Sequence, residues 1–119
     1  MSLPTSDPDS CAGYRAVAAE AAKRTDDPIL RNIYGYALDV DAGEIVACEK
    51  VQLACRRFLQ DLERQDDPDY PWRFDEVKAV RPSAFMERFL SPSKGDYDKM
   101  ALLPWQCFVE GNIYGWVDK

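Results

Sequence analysis

The chain has 119 residues, which suits one small domain, and its 46% share of apolar residues can build an ordinary hydrophobic core. Its formal net charge of −6 argues against direct binding of this segment to nucleic-acid phosphates, because such binding needs clustered Lys and Arg. The sequence shows no run of about 18 apolar residues and no basic region followed by an apolar run at its start. We therefore expect neither a membrane span nor a secretory signal, and we expect a cytoplasmic location.

The cysteine positions do not suggest a metal site. The four cysteines are Cys11, Cys48, Cys55 and Cys107; no two form a C-x-x-C pair, and the chain has no histidine. A zinc site would need all four thiolates from scattered positions. The better interpretation is that they are small buried apolar side chains, with Cys48 and Cys55 seven residues apart on one face of a predicted helix. No metal-ligating residue is predicted.

The first third of the chain predicts two helices. Residues 1–8 are expected to be a flexible lead-in, and the alanine-rich stretch 9–24 is typical of a helix. Asp27 is placed to cap a second helix that begins at Pro28, where the missing N–H is harmless. Apolar residues then recur at helical spacing through residue 37.

The strongest amphipathic pattern begins at Asp41, where an acid is followed three residues later by Glu44 in the manner of a capping box. This pattern predicts a long third helix whose apolar side comprises Ile45, Cys48, Val51, Cys55, Phe58, Leu59 and Leu62. On its charged side, Arg57 and Asp61 are four apart and can form an ion pair.

The last part of the chain predicts two more helices. Residues 72–80 alternate weakly and indicate a short strand or an ordered loop. A short amphipathic helix follows over 81–90, and its inward side chains are expected to be Phe85, Met86, Phe89 and Leu90. After a turn-rich loop over 91–100, the pair Leu103-Pro104 opens a last helix; its apolar side chains are Trp105, Phe108 and Val109, extending toward Ile113 and Trp116. The predicted fold is mainly α, with four to five helices and one possible short strand.

Motifs for catalysis are missing, so the residues by themselves indicate only a mostly helical cytoplasmic domain. The sequence has no G-x-S-x-G, no phosphate-binding G-x-x-x-x-G-K-[ST] and no histidine to act as a base. Gln106, beside Trp105 in the first turn of the last helix, has an amide that can pair with the edge of adenine. The competing interpretation is a capping or solvent-exposed glutamine on a core helix.

Four segments in order resemble the N-terminal region of phage terminase large subunits, the ATPases of DNA-packaging motors. That family carries patterns of the form YA-x-x-V-x-x-G-x-I-x-A, ACKRHLxDL, FIE-x-FL-x-x-xKG and L-x-PWQ-x-F-x-x-x-x-x-FGW. The matching residues are Tyr36, Ala37, Val40, Gly43, Ile45, Ala47, Ala54, Cys55, Arg57, Leu59, Asp61, Leu62, Phe85, Glu87, Phe89, Leu90, Lys94, Gly95, Leu103, Pro104, Trp105, Gln106, Phe108, Gly115 and Trp116. The resemblance spans about residues 33–119. Departures include Phe58, where a histidine is common, and Tyr114, where a phenylalanine is usual.

The resemblance implies a role for residues 9–119 as the helical N-terminal region of such a subunit. The segment 103–116 is similar to an adenine-recognising Q motif, which implies that Gln106 contacts the adenine of ATP and that Trp105 packs beside it. The family continues into a phosphate-binding loop, a magnesium-binding acid and a nuclease domain, so the parent would be an ATPase and endonuclease while this segment alone would not be catalytic. The implied partners are the rest of that chain, the small terminase subunit, the portal and, through the parent, viral DNA.

Two other interpretations remain open from the residues. One is a stand-alone helical protein-interaction module, a prophage remnant that binds no nucleotide. The other is a small enzyme of its own, which has the least support because no acid–base or metal constellation is present.

Overall fold

The computed structural model describes residues 13–90 and 101–119. Within them lie five helices and two short strands, which confirms the predicted mainly helical fold. The helices are α1 (Ala16–Arg24), α2 (Pro28–Asp41), α3 (Glu49–Arg64), α4 (Glu76–Phe89) and α5 (Pro104–Gly115); the strands are β1 (Trp72–Phe74) and β2 (Trp116–Asp118). The predicted lead-in 1–8, the start of the 9–24 helix and the predicted loop 91–100 with Lys94 and Gly95 lie outside the described residues. No helix in the described ranges is both long and apolar enough to cross a bilayer.

Helix α2 lies at the centre of the fold and begins where the sequence predicts. The Asp27 carboxylate accepts a hydrogen bond from the N–H of Ile29 at 2.9 Å, and Pro28 is the first helical residue. Helices α1, α3 and α5 all pack against α2. Its buried residues are Ile29, Leu30, Ile33, Tyr34, Ala37 and Val40.

The predicted start of the third helix is wrong. Helix α3 begins at Glu49 after Cys48, whereas α2 ends at Asp41 and Gly43 lies two residues beyond that end. Gly43 has φ +86°, the left-handed conformation that favours glycine just after a helix, and the N–H of Glu44 bonds back to the carbonyl of Asp39 at 2.8 Å. Ile45 and Cys48 therefore lie outside the helix, and Cys48 is exposed.

The two strands form an antiparallel pair that joins the end of the chain to its middle. Phe74 lies opposite Trp116, and the N–H of Asp75 donates to the carbonyl of Gly115 at 2.7 Å. The prediction of a short strand or an ordered loop over residues 72–80 is right only for its first part, where β1 covers Trp72–Phe74. Helix α4 begins at Glu76, so the predicted start of this helix at residue 81 is wrong. Trp116 belongs to β2 and is not part of the last helix, because the chain turns into this pairing directly after Gly115.

The predicted inward face of the fourth helix is also wrong. Phe85, Phe89 and Leu90 are 56%, 64% and 44% exposed, whereas the buried residues of α4 are Ala79 and Ser83. The small inward residues allow α4 and α5 to approach closely. A Cβ added at Gly115 would lie 2.8 Å from the Cβ of Ala79, too close for a real contact, so bulky side chains have no room on this face.

An aromatic cluster connects the helices to the strands. Phe58 of α3 is 2% exposed, and its ring lies 5.2 Å from that of Phe74, 5.5 Å from that of Phe108 and 6.2 Å from that of Trp116. The ring of Tyr34 stacks on the ring of Phe58, with 6.1 Å between the two ring centres. Because these rings come from α2, α3, α5 and both strands, this cluster is the point at which distant parts of the sequence pack together.

Candidate functional site

The two residues predicted to bind adenine lie at the start of α5. Trp105 is 49% exposed, and Gln106 occupies the third helical position, partly buried. The Gln106 side-chain oxygen accepts a hydrogen bond from the N–H of Leu103 at 2.8 Å. This bond is one half of a capping box, since the Leu103 side chain has no acceptor for the other half. Gln106 therefore stabilises the start of the helix whatever else it does.

The capping bond leaves the Gln106 amide able to bind a base. A side-chain amide oxygen has two lone pairs and its NH₂ group has two donors, and the bond from Leu103 uses one lone pair. Adenine presents a donor and an acceptor side by side on one edge, so a second bond to the oxygen and one bond from the NH₂ group match it. The residues fit the base of ATP in their chemistry, with the exposed ring of Trp105 as the adjacent apolar surface.

A groove of about 630 Å³ lies between α3 and α5, beside these residues but not lined by them. Its walls are mostly aromatic and aliphatic, and the residues that line it include Phe58, Tyr70, Trp72, Phe108, Val109, Ile113 and Trp116. We call it the aromatic groove. Trp105, Val109 and Ile113 recur every four residues, so one exposed face of α5 runs from the candidate adenine residues to this groove.

The buried cysteines are structural. Cys55 and Cys107 are completely buried, which confirms the prediction for them, whereas exposed Cys48 contradicts it; Cys11 lies outside the described residues. Burial, together with the nearby Asp41 carboxylate, raises the pKa of Cys55 to about 11, and burial also raises the pKa of Cys107. Both thiols stay protonated at neutral pH and are poor nucleophiles. Within the described ranges, no group of three His, Cys, Asp or Glu side chains could hold a metal ion.

Asp41 organises a charged cluster that the sequence did not predict. Its carboxylate is fully buried and accepts hydrogen bonds from the Tyr14 hydroxyl at 2.7 Å, from Arg15 Nε at 2.7 Å and from Arg56 Nε at 3.1 Å. Burial alone would raise the pKa of Asp41, but these three bonds outweigh it and hold the pKa below its ordinary value. Asp41 thus links the region before α1 to α2 and α3, a structural role in place of the predicted cap.

Glu110 is a carboxylate in an unfavourable place. Both of its side-chain oxygens are shielded from solvent and have no hydrogen-bond partner among the residues that the structure describes. Burial raises the pKa of Glu110 above its ordinary value of 4.5, because the charged form loses its hydration. Nothing in the local sequence marks this residue, since only the packing around α5 decides that its side chain is covered.

We expect Glu110→Gln to raise the free energy of unfolding by about 1 kcal/mol at pH 8, because the neutral amide avoids burying a charge. Because burial raises the pKa of Glu110 in the folded state, protonation of Glu110 stabilises the original chain below the unfolded pKa. This stabilisation is lost as the pH rises through the folded pKa, and only then does the neutral glutamine have an advantage. The gain should therefore vanish at about pH 4. Urea denaturation at both pH values measures it, with exposed Glu63→Gln as the control. An equal gain at both pH values would show that charge burial is not the cause.

Comparison with protein-family models, with curated proteins and with solved structures finds no match for the chain.

Proposed function

We propose that the chain is the N-terminal region of a phage terminase large subunit and that it contributes one side of the adenine pocket of a DNA-packaging motor. The supporting observation is that residues from three of the four resembling segments pack together. The ring centres of Tyr36 and Phe108 lie 5.5 Å apart, and Leu59 of the second segment lies in the same buried core cluster as Phe108. Segments that match a family pattern separately thus form one core, as expected if the pattern describes a single folded unit.

In this proposal the segment supplies scaffolding and base recognition. Gln106 pairs with adenine while it caps α5, and Trp105 covers the base. The exposed face of α5 formed by Trp105, Val109 and Ile113 packs on the remainder of the motor. The rest of the motor would bind the phosphates and Mg²⁺ and would position water for in-line attack on the γ-phosphate. The proposed protein partners are the small terminase subunit and the portal. Viral DNA binds to other parts of the parent protein, which acts in the cytoplasm of a bacterial host.

The gene itself gives the first test. The proposal expects a G-x-x-x-x-G-K-[ST] motif within about forty residues after Lys119. A reading frame that closes directly after Lys119 would overturn it.

Nucleotide selectivity of a longer chain tests the role of Gln106. We expect Gln106→Ala and Gln106→Glu each to lower the ratio of ATP to GTP affinity about tenfold, which is about 1.4 kcal/mol. The glutamate variant keeps an oxygen to cap the N–H of Leu103 but has no amide donor for the base. Isothermal titration with non-hydrolysable analogues measures both affinities. If only the alanine variant changes the ratio, Gln106 acts by capping; if neither does, it does not contact adenine.

A second candidate function is a stand-alone helical protein-interaction module that binds no nucleotide. The observation in its favour is the number of large apolar side chains on the surface, including Val77, Phe85, Phe89, Trp105 and Ile113. A longer chain that binds neither ATP nor GTP while binding a host or phage protein would favour it.

A further inference from the structure

A second groove, of about 490 Å³, lies along the outer face of α4 and is distinct from the aromatic groove. Its apolar wall consists of Pro82, Phe85, Met86, Leu90 and Tyr114. Lys78 and Arg81 line the same groove, and no acidic side chain is among its described lining residues. We call it the basic groove. These two cations give the groove positive charge on a chain whose net charge is −6.

Much of the apolar wall is exposed to solvent. Phe85, Leu90 and Tyr114 are 56%, 44% and 56% exposed, and Phe89 beside them is 64% exposed. The rings of Phe85 and Phe89 lie 5.1 Å apart, and the guanidinium of Arg88 lies 5.5 Å from the ring centre of Phe89. Aromatic residues and arginine are enriched at the centres of protein interfaces relative to the rest of the surface.

The charge and length of the groove indicate its occupant. From Lys78 to Leu90 the helix rises about 18 Å, the length of about three turns of a second helix. Of the residues that line the groove, Lys78 and Arg81 lie toward the first turns of α4 and Phe85 and Leu90 toward its end, where exposed Arg88 adds a third cation beside the groove. A complementary ligand therefore has acidic residues near Lys78 and Arg81 and large apolar residues along one face.

We propose that the basic groove binds an amphipathic helix of a partner protein, about three turns long, with acidic residues near Lys78 and Arg81 and apolar anchors on Phe85 and Leu90. The acidic character of that helix fixes its orientation. Contact with the apolar wall supplies most of the affinity, since the ion pairs are partly exposed to solvent.

The test uses three fluorescein-labelled peptides of about 15 residues with the same Leu and Phe face and with Glu, Gln or Lys on the polar face. We expect the Glu peptide to bind the chain at least about tenfold more tightly than the Lys peptide in fluorescence anisotropy. We also expect this difference to shrink between about 0.05 M and about 0.5 M salt. Equal affinity for all three peptides would overturn the proposal.

Variants locate the binding. Phe85→Ala and the double change Lys78→Glu with Arg81→Glu should each weaken binding of the Glu peptide about tenfold. The matched controls are Leu53→Ala, an exposed apolar residue of α3 that lines neither groove, and exposed Lys50→Glu; both should leave the affinity unchanged. Because all these side chains are exposed, thermal unfolding should confirm that each variant is folded. Controls that weaken binding as much as Phe85→Ala would overturn the assignment to this groove.

Two other occupants give different results. If the groove joins two copies of the chain, sedimentation shows a dimer that Phe85→Ala dissociates, and no peptide binds. If it contacts a lipid surface, vesicles containing phosphatidylserine retain the chain while the Glu peptide does not bind. Either outcome overturns the proposal of a partner helix.

Discussion

Replacing Phe58 with alanine should reduce the free energy of unfolding by about 3–5 kcal/mol. The Phe58 ring is 2% exposed and contacts the rings of Tyr34, Phe74, Phe108 and Trp116. The change removes apolar burial and leaves a cavity where α3, α5 and the strand pair meet. Because a domain of this size is stable by only about 5–15 kcal/mol, a large part of its stability should disappear.

Urea denaturation followed by far-ultraviolet circular dichroism measures this loss. Phe58→Leu keeps most of the apolar volume and should cost less than about 1.5 kcal/mol. Phe85→Ala removes an equal ring from an exposed position and should change stability by less than about 0.5 kcal/mol. Similar losses for Phe58→Ala and Phe85→Ala would contradict the assignment of Phe58 to the centre of the core.

Replacing Asp41 with alanine should cost about 2–3 kcal/mol at pH 7. The change removes the single acceptor shared by Tyr14, Arg15 and Arg56, and with it the link between the region before α1 and α3. This loss of stability is smaller than is usual when a buried ion pair is broken. The side chains of Arg15 and Arg56 are 30% and 50% exposed, so water can solvate their charges once the carboxylate is gone. Exposed Asp39→Ala, on the same helix, is the matched control and should be nearly neutral.

The contribution of Asp41 should also depend on pH. Because its folded pKa lies below the ordinary value of 3.8, the stability it provides is present above the unfolded pKa and is lost as the pH falls through the folded pKa. The difference between the original chain and Asp41→Ala should thus be constant near neutral pH and shrink below about pH 4. A difference that persists unchanged in acid would mean that packing, and not the charged cluster, is responsible.

Features that depend on neighbouring residues could be predicted from the sequence. The start of α2 could be predicted because Asp27 precedes Pro28. The Asp27 carboxylate accepts a hydrogen bond from the N–H of Ile29, only two residues further on. The long amphipathic run predicts α3 beyond Glu49 and the Arg57–Asp61 ion pair, whose atoms lie 3.5 Å apart. The position of Gln106 in the first turn of α5 follows from Leu103-Pro104, although adenine contact has no local signature and stays a prediction.

Features that depend on contacts between residues far apart in the sequence could not be predicted. Asp41 has the spacing of a helix cap, but Tyr14, Arg15 and Arg56 compete for its carboxylate, and only the fold brings them to it. The Phe85 and Phe89 side chains have the spacing of a buried stripe. They face outward because Gly115 brings α5 against Ala79, which leaves room inside for small residues alone.

The sequence by itself therefore determined the mainly helical class and the order of the helices, since helix caps and apolar periodicity act within a few residues. It did not predict β2 or the start of α4 at Glu76, which depend on the pairing of Phe74 with Trp116. Only the tertiary structure decided which faces are buried, which carboxylates are paired and where the two grooves lie. These depend on how closely separate helices approach, and that distance is set by side chains far apart in the chain.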